Sequence, residues 1–153
     1  MIQRFESVVP LPDPESYMPA PDVMSVDCWP GMNEQLEAFC SKPVAAIVIL
    51  GYACGTTPEI INPSIKRITD KDIPVFIVSG EWIPDGSIEN LTYPSQISAV
   101  EAGATPLKNA NRSLVGEVRE SIQILYDEGV MGDDLAHLVV AHYGSPIKTQ
   151  NAT

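Results

Sequence analysis

Seven consecutive apolar residues, Val44-Ala-Ala-Ile-Val-Ile-Leu50, run without a polar break between Pro43 and Gly51. A strand with one wet face alternates apolar and polar residues; a continuous apolar strand has to be covered on both faces. Ile73-Pro-Val-Phe-Ile-Val-Ser79, ending at Gly80, repeats the pattern. Strands of this kind belong to parallel sheets, whose connections cross over through helices. The two runs therefore predict an α/β fold.

The intervening segments supply the crossovers. Val23 to Trp29 reads as a first strand stopped at Pro30-Gly31. Met32 to Ser41 places Met32, Leu36 and Phe39 at helical spacing. Thr57-Pro58-Glu59 reads as a helix start, with a hydroxyl N-cap, proline at the first helical position and an acid in the first turn, running to about Thr69. Pro94 to Ala102 is helical, and Ala104 to Leu107 a short edge strand. Arg112 to Glu128 is the longest helix, with Leu114, Val118, Ile122 and Leu125 on one face. Asp133 or Asp134 caps a last short helix through His142. The sum is a small flavodoxin-like three-layer sandwich with about four parallel strands over residues 23–143. No internal repeat is present.

The flanks read differently. Pro10, Pro12, Pro14, Pro19 and Pro21 make residues 1–22 a proline-rich arm, extended or polyproline-like rather than helix or central strand. Residues 144–153 form a polar tail with no core-forming pattern.

Length and charge bound the function. The 153 residues suit one domain with one real core. A formal net charge of −11 repels phosphate backbones, so nucleic acid is not an expected partner. Lys66, Arg67 and Lys71, the densest basic group, read as a solvated helix face. No apolar run approaches the ~20 residues of a membrane span, and the first residues have no secretory-signal pattern, so the expected setting is the cytoplasm. Cys28, Cys40 and Cys54 are odd in number and lack CxxC spacing, which predicts free thiols in a reducing compartment rather than disulfides or a zinc site. No dinucleotide fingerprint, phosphate loop, nucleophile elbow or zinc signature occurs, so no cofactor or metal is expected.

In open parallel sheets, ligands bind beyond the carboxyl ends of the strands. Three segments arrive there: Trp29-Pro30-Gly31, Gly51 to Thr57, and Ser79-Gly80-Glu81-Trp82. Gly51, Cys54, Gly55, Thr56, Thr57, Ser79 and Glu81 are the candidate ligand-binding residues, with free backbone N–H groups at the helix start placed to hold a carboxylate. The plainer alternative is a tight connection in which Thr57 merely caps. Cys54 has no histidine nearby in sequence. His137 and His142, five apart, do not share a helix face well. Glu81 and Asp85 are close enough in sequence to meet.

These segments also carry a family likeness. Val26-Asp-Cys-Trp-Pro-Gly-Met32, Val44 to Pro58, and Ile73 to Ser79 resemble successive strand ends in the C-terminal domain of the L-asparaginase family. Bacterial type I asparaginases and the archaeal glutamyl-tRNA amidotransferase D subunit share that domain. Asp85-Gly86, Tyr93 and Ala102-Gly103 follow in similar order, so the likeness spans about residues 23–142. Ala53 stands where the family prefers glycine, and Thr56 where it prefers asparagine. The family's acidic-Met-Thr start and helix lysine are not matched near Arg112 to Glu128.

In that family the nucleophilic threonine and the Thr–Asp–Lys relay belong to a larger N-terminal domain. The resemblance thus implies no catalytic residue in this chain, because acyl transfer needs an activated nucleophile that an anion hole alone does not replace. Three functions are consistent with it. The chain is a non-catalytic interaction module, assembled through its N-terminal arm into a homo-oligomer or larger, virion-like particle. Alternatively it is the small subunit of a split amidohydrolase, with the catalytic asparaginase domain on another chain and Thr56, Ser79 and Glu81 completing the pocket. The third option is an asparagine or aspartate sensor.

Overall fold

The computed structural model describes residues 22–41, 43–82 and 86–148. In chain order the elements are β1 (Val23–Asp27), α1 (Met32–Phe39), β2 (Ala46–Leu50), a 3-10 turn (Glu59–Ile61), α2 (Asn62–Thr69), β3 (Val75–Ser79), β4 (Asn90–Leu91), α3 (Pro94–Glu101), β5 (Thr105–Asn111), a second 3-10 turn (Arg112–Leu114), α4 (Val115–Asp127), α5 (Gly132–Tyr143) and β6 (Ile147–Lys148).

Four strands form one parallel sheet in the order β1-β2-β3-β5. The two apolar runs are the central pair, and every residue of β2 and β3 is buried. Their side chains divide by parity, as the pleat requires. Ile47, Ile49, Val75 and Ile77 point to one core with Met32 and Leu36 of α1, Ile65 and Ile68 of α2, and Ala99 of α3. Ala46, Val48, Leu50, Phe76 and Val78 point to the other, with Val118 and Ile122 of α4 and Leu135, Val139 and Tyr143 of α5. This is a three-layer α/β/α sandwich of flavodoxin-like character, as the sequence predicts.

The strand order has a consequence for binding. Crossovers of one hand between successive neighbouring strands put α1, α2 and α3 on the same face. The chain reaches the second face only after β5. Among the described residues the strand order never reverses, so these strands form no crevice of the kind that a switch in strand order opens.

Several boundaries differ from expectation. Helix α2 starts at Asn62, not at Thr57, because Pro58 is extended (ψ 137°) and the following residues make a 3-10 turn. Thr57 is therefore buried in the connection and caps nothing; its hydroxyl has no partner. Helix α5 begins at Gly132 with Met131 as N-cap, and Asp133 and Asp134 lie within its first turn, where acids complement the helix dipole. Strand β5 continues to Asn111 and shifts register against β3 between Ile77 and Ser79. Part of the polar tail is ordered: Ile147–Lys148 pairs in parallel with Asn90–Leu91. Lys108 N–H also donates to the Gly144 carbonyl (3.0 Å). The proline-rich arm, apart from Asp22, and residues 149–153 lie outside the described residues. Among the described residues, no helix is long and apolar enough to cross a membrane.

Candidate functional site

All four strands of the sheet end at one face, and their loops are stitched together there. Beyond β2, Gly51 N–H still donates to Val78 (3.0 Å), extending the ladder. The chain then closes tightly: Tyr52 N–H to the Thr56 carbonyl (2.9 Å) and Gly55 N–H to the Tyr52 carbonyl (2.7 Å). This closure needs glycine at residue 55, whose φ is +77° and whose missing Cβ leaves room for Ile88. Ser79, fully buried, binds the β2 and β3 loops together. Its hydroxyl donates to the Ala53 carbonyl (2.7 Å) and accepts from Glu81 N–H (3.3 Å).

Two further side chains fix this face. Gln96, buried in the first turn of α3, donates to the Cys54 carbonyl (2.6 Å) and accepts from the N–H groups of Thr92 (2.8 Å) and Tyr93 (2.9 Å). The latter pair of bonds satisfies donors at the helix entrance, as the returning arm of a capping box does. Arg112, the first residue after β5, donates through Nε to the Gly80 carbonyl (2.9 Å) and pairs with Asp27 at the end of β1. Its guanidinium lies 5.5 Å from the centroid of the Trp82 ring. Arg112 therefore connects three strand ends. No local motif marks the reach of Gln96 to Cys54 or of Arg112 to Gly80 and Asp27, because these partners are 42, 32 and 85 residues away.

The face is rimmed by aromatic side chains. Trp29, Tyr52, Trp82 and Tyr93 are 49, 52, 71 and 51% exposed. Between the β2 loop, Glu81 and the segment before α3 lies a concavity of about 270 Å³. Cys54, Glu81, Ser87, Glu89, Thr92 and Tyr93 contribute to its lining.

Of the seven candidate residues, the structure brings Cys54 and Glu81 to this concavity. Gly51, Gly55, Thr56 and Ser79 serve the loop closure, through the contacts given above, and Thr57 is enclosed behind them. The 3-10 turn at Glu59 means that no α-helix opens directly from the loop. Glu81 and Glu89 also oppose an anion in the concavity; Glu89 is shared with Lys108 at 3.7 Å. Asp85 lies outside the described residues.

Cys54 is exposed, and neither His137 nor His142 lines its concavity. Cys28 sits beneath the rim with its pKa pushed up to about 11 by burial and by the Asp27 charge, against the opposing effect of Arg112. It is a protonated, unreactive thiol at neutral pH. Among the described residues, no group of three or more His, Cys, Asp or Glu is placed to hold a metal ion.

The sheet and its two helical layers define a three-layer α/β/α domain. Among solved structures, the fold matches L-asparaginase I from Vibrio cholerae O1 biovar eltor str. N16961 at a TM-score of 0.65 and 13% identity, over 78% of this chain and 36% of that one. It also matches the thermostable L-asparaginase from Thermococcus kodakarensis at a TM-score of 0.61 and 19% identity, over 83% of this chain and 38% of that one. The chain thus spans little more than a third of either asparaginase. No family model and no curated protein matches the sequence.

Proposed function

We propose that this chain is a non-catalytic, asparaginase-like interaction module that acts within a homo-oligomer and docks through its strand-end face. The observation that carries this reading is the ring of Trp29, Tyr52, Trp82 and Tyr93, each about half or more exposed, around loops pinned by Ser79, Gln96 and Arg112. Exposed aromatics on rigid supports are what interface anchors look like, since little is lost in ordering them on contact. Among the described residues of this face, Ser79 has its hydroxyl committed to a carbonyl, and no histidine lines the concavity that holds Cys54. The sensor reading loses support from the two glutamates that would confront a ligand carboxylate.

Light scattering across a dilution series tests this. The wild type is expected to associate, and Trp82→Ala to weaken the association by about tenfold or more, as for a central anchor. A wild-type chain that stays monomeric at about 0.1 mM, well above a micromolar dissociation constant, would overturn a stable assembly.

A second reading rests on the fold match to a part of each asparaginase: the domain works with a separate catalytic domain as part of an amidohydrolase. Glu81 is then the residue at the concavity able to contribute to a shared pocket, whereas Ser79 is committed to Ala53. Ammonia release appearing only when a threonine-bearing asparaginase domain is added would support this reading over the first.

A further inference from the structure

Helices α4 and α5, joined by residues 128–131, leave a groove of about 390 Å³ between them. Ile124 and Leu125 from α4 and Leu138 and Val139 from α5 make its apolar walls. Ile124 and Leu138 are about half exposed, although each helix already buries another face against the sheet through Val118, Ile122 and Leu135. Met131, the N-cap of α5, is also exposed and precedes Leu138 by seven residues, two helical turns.

Charge frames this apolar line. Side chains four and seven residues apart share a helix face. Ile124 therefore stands between Glu117 and Glu128, and Leu138 follows Asp134. All three acids are exposed, and among the described residues none of them has an ion-pair partner. Residues 115–143 hold six acids and one arginine, Arg119, which is turned to the Val23 carbonyl (3.2 Å). Such a surface complements an apolar line flanked by bases.

The same charges disfavour a second copy, since two of these surfaces face to face would set acid against acid. The densest basic group of the chain, on and just after α2, is already engaged. Lys66 pairs with Asp70 (3.3 Å), Arg67 with Glu37, and Lys71 donates to the Cys40 carbonyl. The apolar side chains of that helix, Ile65 and Ile68, are buried in the core. Backbone accounting selects the form of the occupant. The N–H and C=O groups of α4 and α5 are used within their own helices, so the groove offers no ladder to an extended segment. A helix satisfies its own backbone, and about three turns match the ~18 Å length of the 12-residue α5.

We propose that the α4/α5 groove docks an amphipathic helix with a basic polar face, carried by another protein. Apolar side chains at helical spacing rest on Ile124 and Leu138, and lysines or arginines beside them reach Glu117, Glu128 and Asp134. The site uses none of the residues of the strand-end face and does not depend on that docking.

The probe is a fluorescein-labelled peptide of about four helical turns, built of leucine and lysine in an amphipathic pattern. Its control has glutamate in place of every lysine. Fluorescence anisotropy with the full chain should show saturable binding of the lysine peptide, about tenfold or more tighter than the control. Leu138→Ser and, separately, Ile124→Ser should each weaken it about tenfold, as should Glu117→Gln, Glu128→Gln and Asp134→Asn combined. Circular dichroism identical to the wild type verifies that each variant is folded. Equal binding of the two peptides, or none of either, overturns the proposal. Binding that both apolar variants leave unchanged also overturns it, because the attraction is then to the net charge of −11 alone. Self-association of the wild type that Leu138→Ser abolishes overturns it too, since the groove is then filled by a second copy.

Discussion

The rigidity of the strand-end face rests on the β2 and β3 loops touching backbone to backbone, and Gly80→Ala tests it. An ideal Cβ on Gly80 would lie 2.0 Å from the Gly51 carbonyl oxygen, with the Gly51 carbonyl carbon at 3.2 Å. Both obstacles are main chain, so no side chain can swing aside. Restoring ordinary contact requires the loops to part by more than about 1 Å, which is beyond what a close-packed site absorbs without strain. Overpacking of this kind costs about 1–3 kcal/mol. The parting also endangers the Gly51–Val78 bond (3.0 Å), the Ser79–Ala53 bond (2.7 Å) and the Arg112–Gly80 bond (2.9 Å). Losing one of them adds about 1 kcal/mol. The expected destabilisation is therefore about 2–4 kcal/mol. In urea, with a slope of about 2 kcal/mol/M, the midpoint should fall by about 1–2 M with the slope unchanged. A variant within about 0.5 kcal/mol of the wild type would show that the loops separate freely, and the pinned-face argument would be wrong.

Three other changes report on the same region. Arg112→Ala removes a charged hydrogen bond, a half-exposed ion pair and a ring contact. It should lower stability by about 2 kcal/mol and alter Trp82 fluorescence. Thr57→Val replaces an enclosed, unpartnered hydroxyl with a methyl group of similar size; thermal unfolding should show a gain of about 1 kcal/mol, and a loss would mean the hydroxyl has a partner. Iodoacetamide mapping by mass spectrometry near neutral pH should label exposed Cys54 ahead of Cys28, whose pKa is raised from 9.0 to about 11. The fold holds the neutral thiol of Cys28, so its contribution is complete below about pH 9 and is lost as pH rises through about 11. Cys28→Ala should flatten that alkaline decline in the urea midpoint.

What was legible in the sequence follows from where the controlling interactions lie. Strands β2 and β3 announce themselves because both faces of each are buried, leaving no polar position. The far end of β5 does not: Lys108 and Asn109 sit on an edge strand with solvent beside them, so the apolar signal ends at Leu107 while the strand continues. The Thr57-Pro58-Glu59 signature is a sound local cap pattern, overridden because the Gly51 to Thr57 loop closes on itself and draws Thr57 into the interior. Of the candidate site, the position of the loops at the strand ends was readable from topology, and the fold places Cys54 and Glu81 at the concavity there. The stitching by Gln96 and Arg112 was not, since it joins residues far apart in sequence and depends on which loops the fold brings together.

The most direct measurement of the account is ammonia release from asparagine by the purified 153-residue chain, coupled to glutamate dehydrogenase. The account predicts no release above the buffer rate at any concentration of chain. Turnover at about 1 s⁻¹ or faster, within the ordinary range of enzymes, would contradict it, because a nucleophile and base would then exist among residues assigned here to scaffold and docking.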